Sequence, residues 1–465
     1  MSETITEMIL PGTYIDVRAE GLIGVGGIST GNIGVVGTAS RGPVQEVRVL
    51  SSYSEALDLF GPYDAWPTDS AKQADALTLT RALEQVFRGG GSTVYAVRVG
   101  DFAADPPVRS WAVADAASTL VTVQANSPGT WANDVVVAFN AADTTLTVTL
   151  GRQKEVHDAS TAAALATAIA NDSRLVVAAA PAAADQAKVP TKVTAGTNVA
   201  SNGEKAGGGT SVTNGLALLA PEAVNIVVVA GIGAKDAKAG VLDHLESTEN
   251  DGKERMAVLG VSKDDFNALS PDDDVSNPRV ILVTPGIRVD DAVARSEVTL
   301  PGAYAAALVA GRLSTLGVHV SLTNKDVAVK GLAQLYSRGQ QKALLGKRML
   351  VLRNELGIRV LKGITTDTGA FRQISVRRIV DYAKAGVRIG GNPYIGRLNN
   401  VRVRGALKAT LDGFLSQMVL DEMLTGYTLD VSATRAEEIN GIALVTMTLQ
   451  PTFSIDFVKV IMNLQ

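Results

Sequence analysis

The chain has 465 residues, 46% hydrophobic and 19% charged, with a formal charge of −4 and no cysteine. That composition fits a globular protein of two or three domains and excludes a disordered polymer, a disulfide scaffold and thiolate metal sites. Its longest apolar runs, such as VNIVVVAGIG, reach about half the length a bilayer needs, so no membrane span is expected, and the acidic opening MSETITEMIL lacks the basic stretch of a secretory signal.

In chain order, residues 1–100 read as an α/β unit. LPGTYIDVR is a short strand after a Pro-Gly turn, and GNIGVVGTASRGP is a buried strand running into a Gly-Pro turn. SSYSEALDLFG carries a Ser cap before a short amphipathic helix that stops at Gly61. AKQADALTLTRALEQVFRGGG predicts one longer helix ending in three glycines, and STVYAVRVG a strand. From 101 to 210 Ala, Thr, Asp and Ser dominate: LVTVQA, VVVAFN and TLTVTL are short strands and STAAALATAIAND a helix. The region closes with the flexible stretch TAGTNVASNGEKAGGGTS.

From 211 the first pattern resumes. VNIVVVAG, MAVLGVS and RVILVTPG read as buried strands, alternating with helical segments such as DAKAGVLDHLEST and AYAAALVAGRLSTL. That alternation favours a sheet with helices on its faces. ALKATLDGFLSQMVLDEMLTG reads as a helix, followed by strands YTLDVSA and GIALVTMTLQ. In the last stretch, Val445, Met447, Leu449, Pro451, Phe453, Ile455 and Phe457 alternate with polar residues, the period of a half-buried strand. At Val458 the phase flips, and Val460 and Met462 continue on even positions. No residue of the sequence follows Gln465 that could fold back over this strand, which leaves open what it pairs with.

The expected fold class is α/β with α+β parts, multidomain: an N-terminal arm (1–22), a core domain in two parts (23–100 and 211–442), an inserted β-rich α+β domain (101–210), and a C-terminal strand and arm (443–465). LPGTY at 10–14 recurs as LPGAY at 300–304, but the flanks differ and no internal repeat is inferred.

Catalytic chemistry finds no home. His157, His244 and His319 lie far apart in unrelated contexts, and no His-Glu-x-x-His or other metal spacing occurs. IVVVAGIGAKDAKAG runs a strand into Gly231-x-Gly233, but Asp236 stands where a dinucleotide fingerprint wants glycine. The Gly346-Lys347 pair lacks the earlier glycine of a phosphate loop, no Gly-x-Ser-x-Gly elbow exists, and PDDDV at 271–275 lacks the calcium-loop pattern. No catalytic residue, cofactor or metal is expected. Charge is unevenly spread: residues 342–408 hold fifteen Lys and Arg against three acids, a net of +12 that leaves −16 for the rest. Such asymmetry suggests an acidic partner, unless the cations pair within the chain.

The order of these pieces resembles the contractile tail sheath family of bacteriophages, R-type bacteriocins and phage-like injection systems. Pro11, Gly12 and Tyr14 match that family's opening strand, and Arg41, Gly42 and Pro43 its Arg-Gly-Pro turn. SSYSEALDLFG is similar to its helix ending in Phe-Gly, and ALEQVFRGGGSTVYAVRV to its helix, Gly-Gly turn and strand. NSPGTWANDVVV resembles its entry into an inserted domain, with Ala132 in place of Gly. The last hundred residues match in layout: Val376-Arg377-Arg378, a long helix, two strands and an extended arm.

The resemblance implies a structural subunit, not an enzyme, that polymerises helically around an inner tube and contracts without nucleotide. Neighbours would be joined by arms adding strands to each other's sheets: Pro11, Gly12, Tyr14, Ile15 and Val17 at the N-terminus, and Phe453, Ile455, Phe457, Val458, Val460 and Met462 at the C-terminus. A phase flip at 457–458 fits an arm leaving its own domain, and a β-bulge fits it equally. Lys384, Arg388, Arg402, Arg404 and Lys408 are the expected contacts to the tube. Implied partners are other copies of the chain, the inner tail tube protein, and baseplate and tail terminator proteins, with no direct contact to nucleic acid or membrane. The implied location is a virion tail assembled in a bacterial cytoplasm, or a cytoplasmic or released injection particle. The alternatives are an α/β enzyme with a degenerate nucleotide-binding fold, a basic nucleic-acid-binding module with Phe371, Tyr382 and Tyr394 as stacking surfaces, and a tube or capsid subunit.

Overall fold

The computed structural model describes residues 27–103, 106–200, 203–205, 209–268 and 275–463. The N-terminal arm residues Pro11, Gly12, Tyr14, Ile15 and Val17 lie outside them, as does most of the acidic stretch at 271–275.

The centre of the molecule is an eight-stranded sheet. Six strands run parallel, in the order Leu350–Asn354, Val280–Thr284, Met256–Gly260, Ile226–Val229, Ile33–Gly37 and Val94–Arg98. Antiparallel strands Ile358–Val360 and Val47–Leu50 close the two edges. Parallel strands need both faces covered, and the four inner ones, IGVVG, IVVV, MAVLG and VILVT, are accordingly buried at almost every position. Ile226, Val228, Met256, Val258, Ile281 and Val283 pack on one face with helices Leu79–Gly89 and Gly302–Ser314. Val227, Val229, Ala257, Leu259, Val280 and Leu282 pack on the other with helices Thr210–Leu219, Ala234–Asn250 and Arg338–Gly346.

Local chemistry sets several boundaries. Ser52 caps helix Tyr53–Phe60 by accepting from the Glu55 N–H at 3.2 Å, and Gly61 ends it at φ 74°. The long helix expected over 71–91 is broken: a 3₁₀ turn at Ser70–Asp75 is followed by extended chain, and the α-helix begins at Leu79. Tertiary bonding overrides propensity there. The Thr78 N–H donates to the Thr38 carbonyl at 3.1 Å, and the two threonine hydroxyls lie 3.2 Å apart.

That contact fills the place where such sheets hold ligands, the crevice at the carboxyl ends of the strands where strand order reverses. Here it lies between Ile33–Gly37 and Ile226–Val229. A Cβ on Gly37 would stand 2.7 Å from the Ala230 Cβ and 2.8 Å from the Thr78 hydroxyl, and one on Gly231 would stand 2.5 Å from the Thr78 methyl. The chain's own side chains stopper the crevice.

Between Val94–Arg98 and Ile226–Val229 the chain leaves the sheet and builds a separate β-rich unit with its own core, including Trp111, Val123, Trp131, Leu146, Leu165 and Ile169. It holds a four-stranded and a three-stranded antiparallel sheet and helix Ala162–Asp172. Arg98, fully buried, fastens this unit to the core by donating to the carbonyls of Ala39, Gly42 and Pro128.

A second buried charge fixes the opposite side. Hairpin Ile287–Asp291/Ser296–Leu300 brings Asp291 to Arg81 at 2.9 Å, with both side chains essentially inaccessible. The guanidinium lies over the rings of Tyr63 and Trp66. Burial disfavours the Asp291 carboxylate, but N–H bonds from Ala294 and Trp66 and the Arg81 charge outweigh it and hold the pKa below the usual range. Removing one partner strands the other: Asp291→Ala should cost about 3–5 kcal/mol in urea unfolding, against under about 1 kcal/mol for Arg88→Ala, which breaks a more exposed helix pair with Glu84.

Candidate functional site

After Ile358–Val360 the chain forms a smaller module. Helices Ile374–Gly391 and Val401–Leu420 pack on hairpin Leu424–Ser432/Leu444–Pro451 around Ile379, Ala383, Phe414, Leu415 and Met418. A Cβ on Gly386 would lie 1.9 Å from the Phe414 ring, so glycine is required for the two helices to meet. The second helix spans 401–420, not 406–426 as the sequence reading had it. Asn400 caps it by accepting from the Val403 N–H, and Glu422 at φ 60° turns the chain so that Met423 and Leu424 enter the hairpin.

The hairpin pairs Tyr427 with Leu449, Leu429 with Met447 and Val431 with Val445. These residues face the helices, while Thr428, Asp430, Thr446 and Thr448 face out. Two strands make a sheet with two open edges. The period-2 pattern is thus a half-buried strand, but only as far as Pro451.

Beyond Pro451 the alternation persists and its meaning inverts. Residues 452–463 form neither strand nor helix. Thr452, Ser454 and Asp456 lie half-buried against the protein, while Phe453 and Phe457 are 64% and 83% exposed and Ile455 is exposed between them. From Val458 to Met462 every side chain is exposed, including the expected arm residues Val458, Val460 and Met462. The sequence assigns Phe453, Ile455 and Phe457 to an arm that packs on another copy; within the single chain their side is exposed and the polar side is half-buried, with Asp456 meeting cationic and hydroxyl partners on the core.

The module meets the sheet domain across a charged seam. Arg279, 3% exposed, binds Glu249 of helix Ala234–Asn250 at 2.6 Å and Asp381 of the module at 2.7 Å. Asp381 also pairs with Arg377, Lys384 with Glu249 at 3.0 Å, and Arg388 with Glu254 at 2.8 Å. Hydrogen bonds from Arg279 hold the Glu249 pKa at about 2, against the opposing effect of burial and with help from Lys384. A cavity of about 380 Å³ lies along this seam, lined by Gly27–Thr30, Asn225, Arg255, Arg378 and Tyr382 among others. Arg378 donates there to the carbonyls of Thr30, Leu316 and Gly317.

Among the cations expected to face an acidic partner, Lys384 and Arg388 pair inside the chain at the seam, Arg404 pairs with Glu438 at 2.9 Å, and Lys408 with Asp430 at 3.3 Å. Arg402 and Lys408 project from the exposed face of helix Val401–Leu420, whereas Arg404 is buried. Much of the basic excess of 342–408 therefore answers acids elsewhere in the same chain. Arg279 as hub and Asp456 as anchor were not anticipated; the Arg377/Asp381 spacing of four was the one local signal.

The histidines are not gathered. His244 is buried, its Nε2 is 2.9 Å from Arg255, and burial together with that charge pushes its pKa down to about 4, so it is neutral at pH 7. Among the described residues no cluster of three His, Asp or Glu side chains forms a cation site, and no helix is long and apolar enough to cross a membrane.

Residues 366–465 match the family model described as the phage tail sheath C-terminal domain. The chain is 25% identical over 255 residues to the tail sheath protein of Mycobacterium phage Bxz1; the match covers 50% of this chain and 42% of that protein, so it spans less than half of the relative's length. In fold it is similar to the sheath tail protein of Desulfitobacterium hafniense (TM-score 0.61, 18% identity, 95% of this chain and 100% of that one). It is also similar to that of Listeria innocua (TM-score 0.63, 14% identity, 92% and 93%). The helical sheath of the anti-feeding prophage in its contracted state shares the fold over 99% of both chains (TM-score 0.57, 15% identity).

The seam should fail in acid before the sheet does. Glu249 is stabilising while ionised, so its contribution is complete above its unfolded value of about 4.5 and is lost as pH falls toward about 2. Limited pepsin digestion from pH 4.5 down to 2.5 should cut first within 374–451. First cuts inside the central sheet would show that the seam does not limit acid stability.

Proposed function

We propose that this chain is a structural subunit of a contractile tail sheath, polymerising as a helix around an inner tube and driving that tube through a bacterial envelope on contraction. The observation that carries the reading is the arm at 452–463: chain in neither strand nor helix with an exposed apolar face, beside a two-stranded sheet with open edges. Burying Phe453, Ile455 and Phe457 against another copy gains about 1.5–3 kcal/mol each. Strand addition to a hairpin edge supplies the main-chain hydrogen bonds. A head-to-tail contact of this kind builds an open helix where the rotation between copies does not close a ring.

The N-terminal arm, with Pro11, Gly12, Tyr14, Ile15 and Val17, joins the same exchange in this proposal. The partners are further copies of the chain, an inner tube, and baseplate and terminator proteins. The setting is a virion tail or an injection particle assembled in a bacterial cytoplasm. For the tube contact we retain the exposed helix face that carries Arg402 and Lys408, where the Lys408–Asp430 pair is itself solvent-exposed; Lys384, Arg388 and Arg404 pair with better-buried carboxylates of their own subunit. Contraction in this reading is a population shift between two lattices, and the stoppered crevice suits a machine that takes no nucleotide there.

Negative-stain electron microscopy tests the assembly. The full chain should form long hollow tubes, and a version ending at Gln450, or one carrying Phe453→Ser, Ile455→Ser and Phe457→Ser, should not. Monodisperse particles from the full chain, or tubes from the truncated one, would overturn the arm-exchange reading.

A further inference from the structure

The arm is seated before it is free. Asp456 accepts an ion pair from Lys362 at 3.0 Å, with its own side chain 9% exposed. The Thr323 and Ser454 hydroxyls donate to Oδ1 at 3.3 and 3.2 Å, and the Gln373 amide approaches Oδ2 at 3.5 Å. Lys362 Nζ also lies 4.8 Å from the centre of the Phe457 ring. The seat spans both sides of the seam. Thr323 and Lys362 belong to the sheet domain, where Lys362 follows edge strand Ile358–Val360, and Gln373 is the residue that opens module helix Ile374–Gly391.

Among the described residues, the last main-chain hydrogen bond along the chain is Thr452 N–H to the Met423 carbonyl at 3.0 Å. From Phe453 to Asn463 no main-chain to main-chain hydrogen bond forms among the described residues. The arm is therefore tethered at two points, by main chain at Thr452 and by a side-chain carboxylate at Asp456.

We propose that the Asp456–Lys362 pair is a releasable latch that stores chain length. While it is closed, the arm pivots at Asp456 and only the residues beyond it reach outward. When it opens, the pivot retreats to Thr452. The four residue steps from Thr452 to Asp456 join the free arm and add on the order of 13 Å of chain. A lattice whose subunits move apart while staying linked needs such a reserve, and here it lies under one ion pair. An ion pair suits the task, because pulling it apart lets water solvate both charges, whereas a strand seated by a full ladder would have to be unzipped bond by bond. The latch itself rests on the geometry of the single chain; its use during contraction rests on the sheath reading above.

The chain has no cysteine, so paired spin labels can be placed without background. Lys342→Cys on the sheet domain and Ile455→Cys, an exposed position between the two tethers, report the arm's position by pulsed dipolar spectroscopy, in purified protein kept dilute and unpolymerised. One narrow distance is expected in the parent. It should be lost into a broad distribution in Asp456→Asn, a near-isosteric change, and should return in the reciprocal pair Lys362→Asp with Asp456→Lys. An unchanged distribution in Asp456→Asn overturns the latch. Tubes of the parent, with labelled chains diluted in unlabelled ones, test the release: a longer distance in at least one polymer form is expected, and the free-protein distance in every form overturns it. If the parent forms no tubes while the narrow distance and its loss are both observed, the sheath reading fails and the latch stands.

Discussion

Arg279, itself 3% exposed, holds two carboxylates that arrive from different parts of the chain, the partly exposed Glu249 from a helix on the sheet and Asp381 from the module. Single contacts of this kind are costly to assemble and more costly to half-break. Here the charges come as a network, with Lys384 and Arg388 adding second bonds to Glu249 and Glu254. The module's position depends on that network, the hairpin's on the module, and the arm's on the hairpin. An apolar interface would slide with little penalty; a network of directed bonds gives the module one seat and a definite geometry from which the arm departs.

The same logic separates the two halves of the molecule by how they are held. The sheet is locked by complementary apolar faces, by Arg81 and Asp291 on one side and by Arg98 among carbonyls on another. The module carries a small core, an adjoining cavity of about 380 Å³ and charged contacts to the rest. Cooperative burial is dense in the first and thin in the second, and local opening follows contact density. A rigid body bearing a less rigid, strand-presenting module is the arrangement expected of a protein that changes neighbours without unfolding.

Much of this was legible in the sequence wherever one local rule acted alone. The apolar strands at 33–37, 226–229, 256–260 and 280–284 announced a buried parallel sheet, and Ser52 with Gly61 bounded a helix. Legibility failed where distant groups competed. The helix expected over 71–91 breaks because Thr78 bonds to Thr38, forty residues away. The basic segment looked like a surface for a partner because its counter-charges, Glu249, Glu254, Asp430 and Glu438, lie outside the window that was counted. The terminal alternation was read as one strand with one buried face, yet the face that is buried changes at Pro451. Period alone says that two faces differ; it does not say which of them meets protein.

That alternation also sets a rule of parity. Between the hairpin's last pairing at Pro451 and the seat at Asp456, each added residue rotates the arm by half a turn of the pleat. One inserted codon in this interval would bring an apolar side chain to the Lys362 seat and turn the polar side outward, whereas two would restore the original order with a longer arm. Divergent versions of this protein should therefore differ in arm length by even steps here, and a designed linker spliced into the arm should obey the same arithmetic.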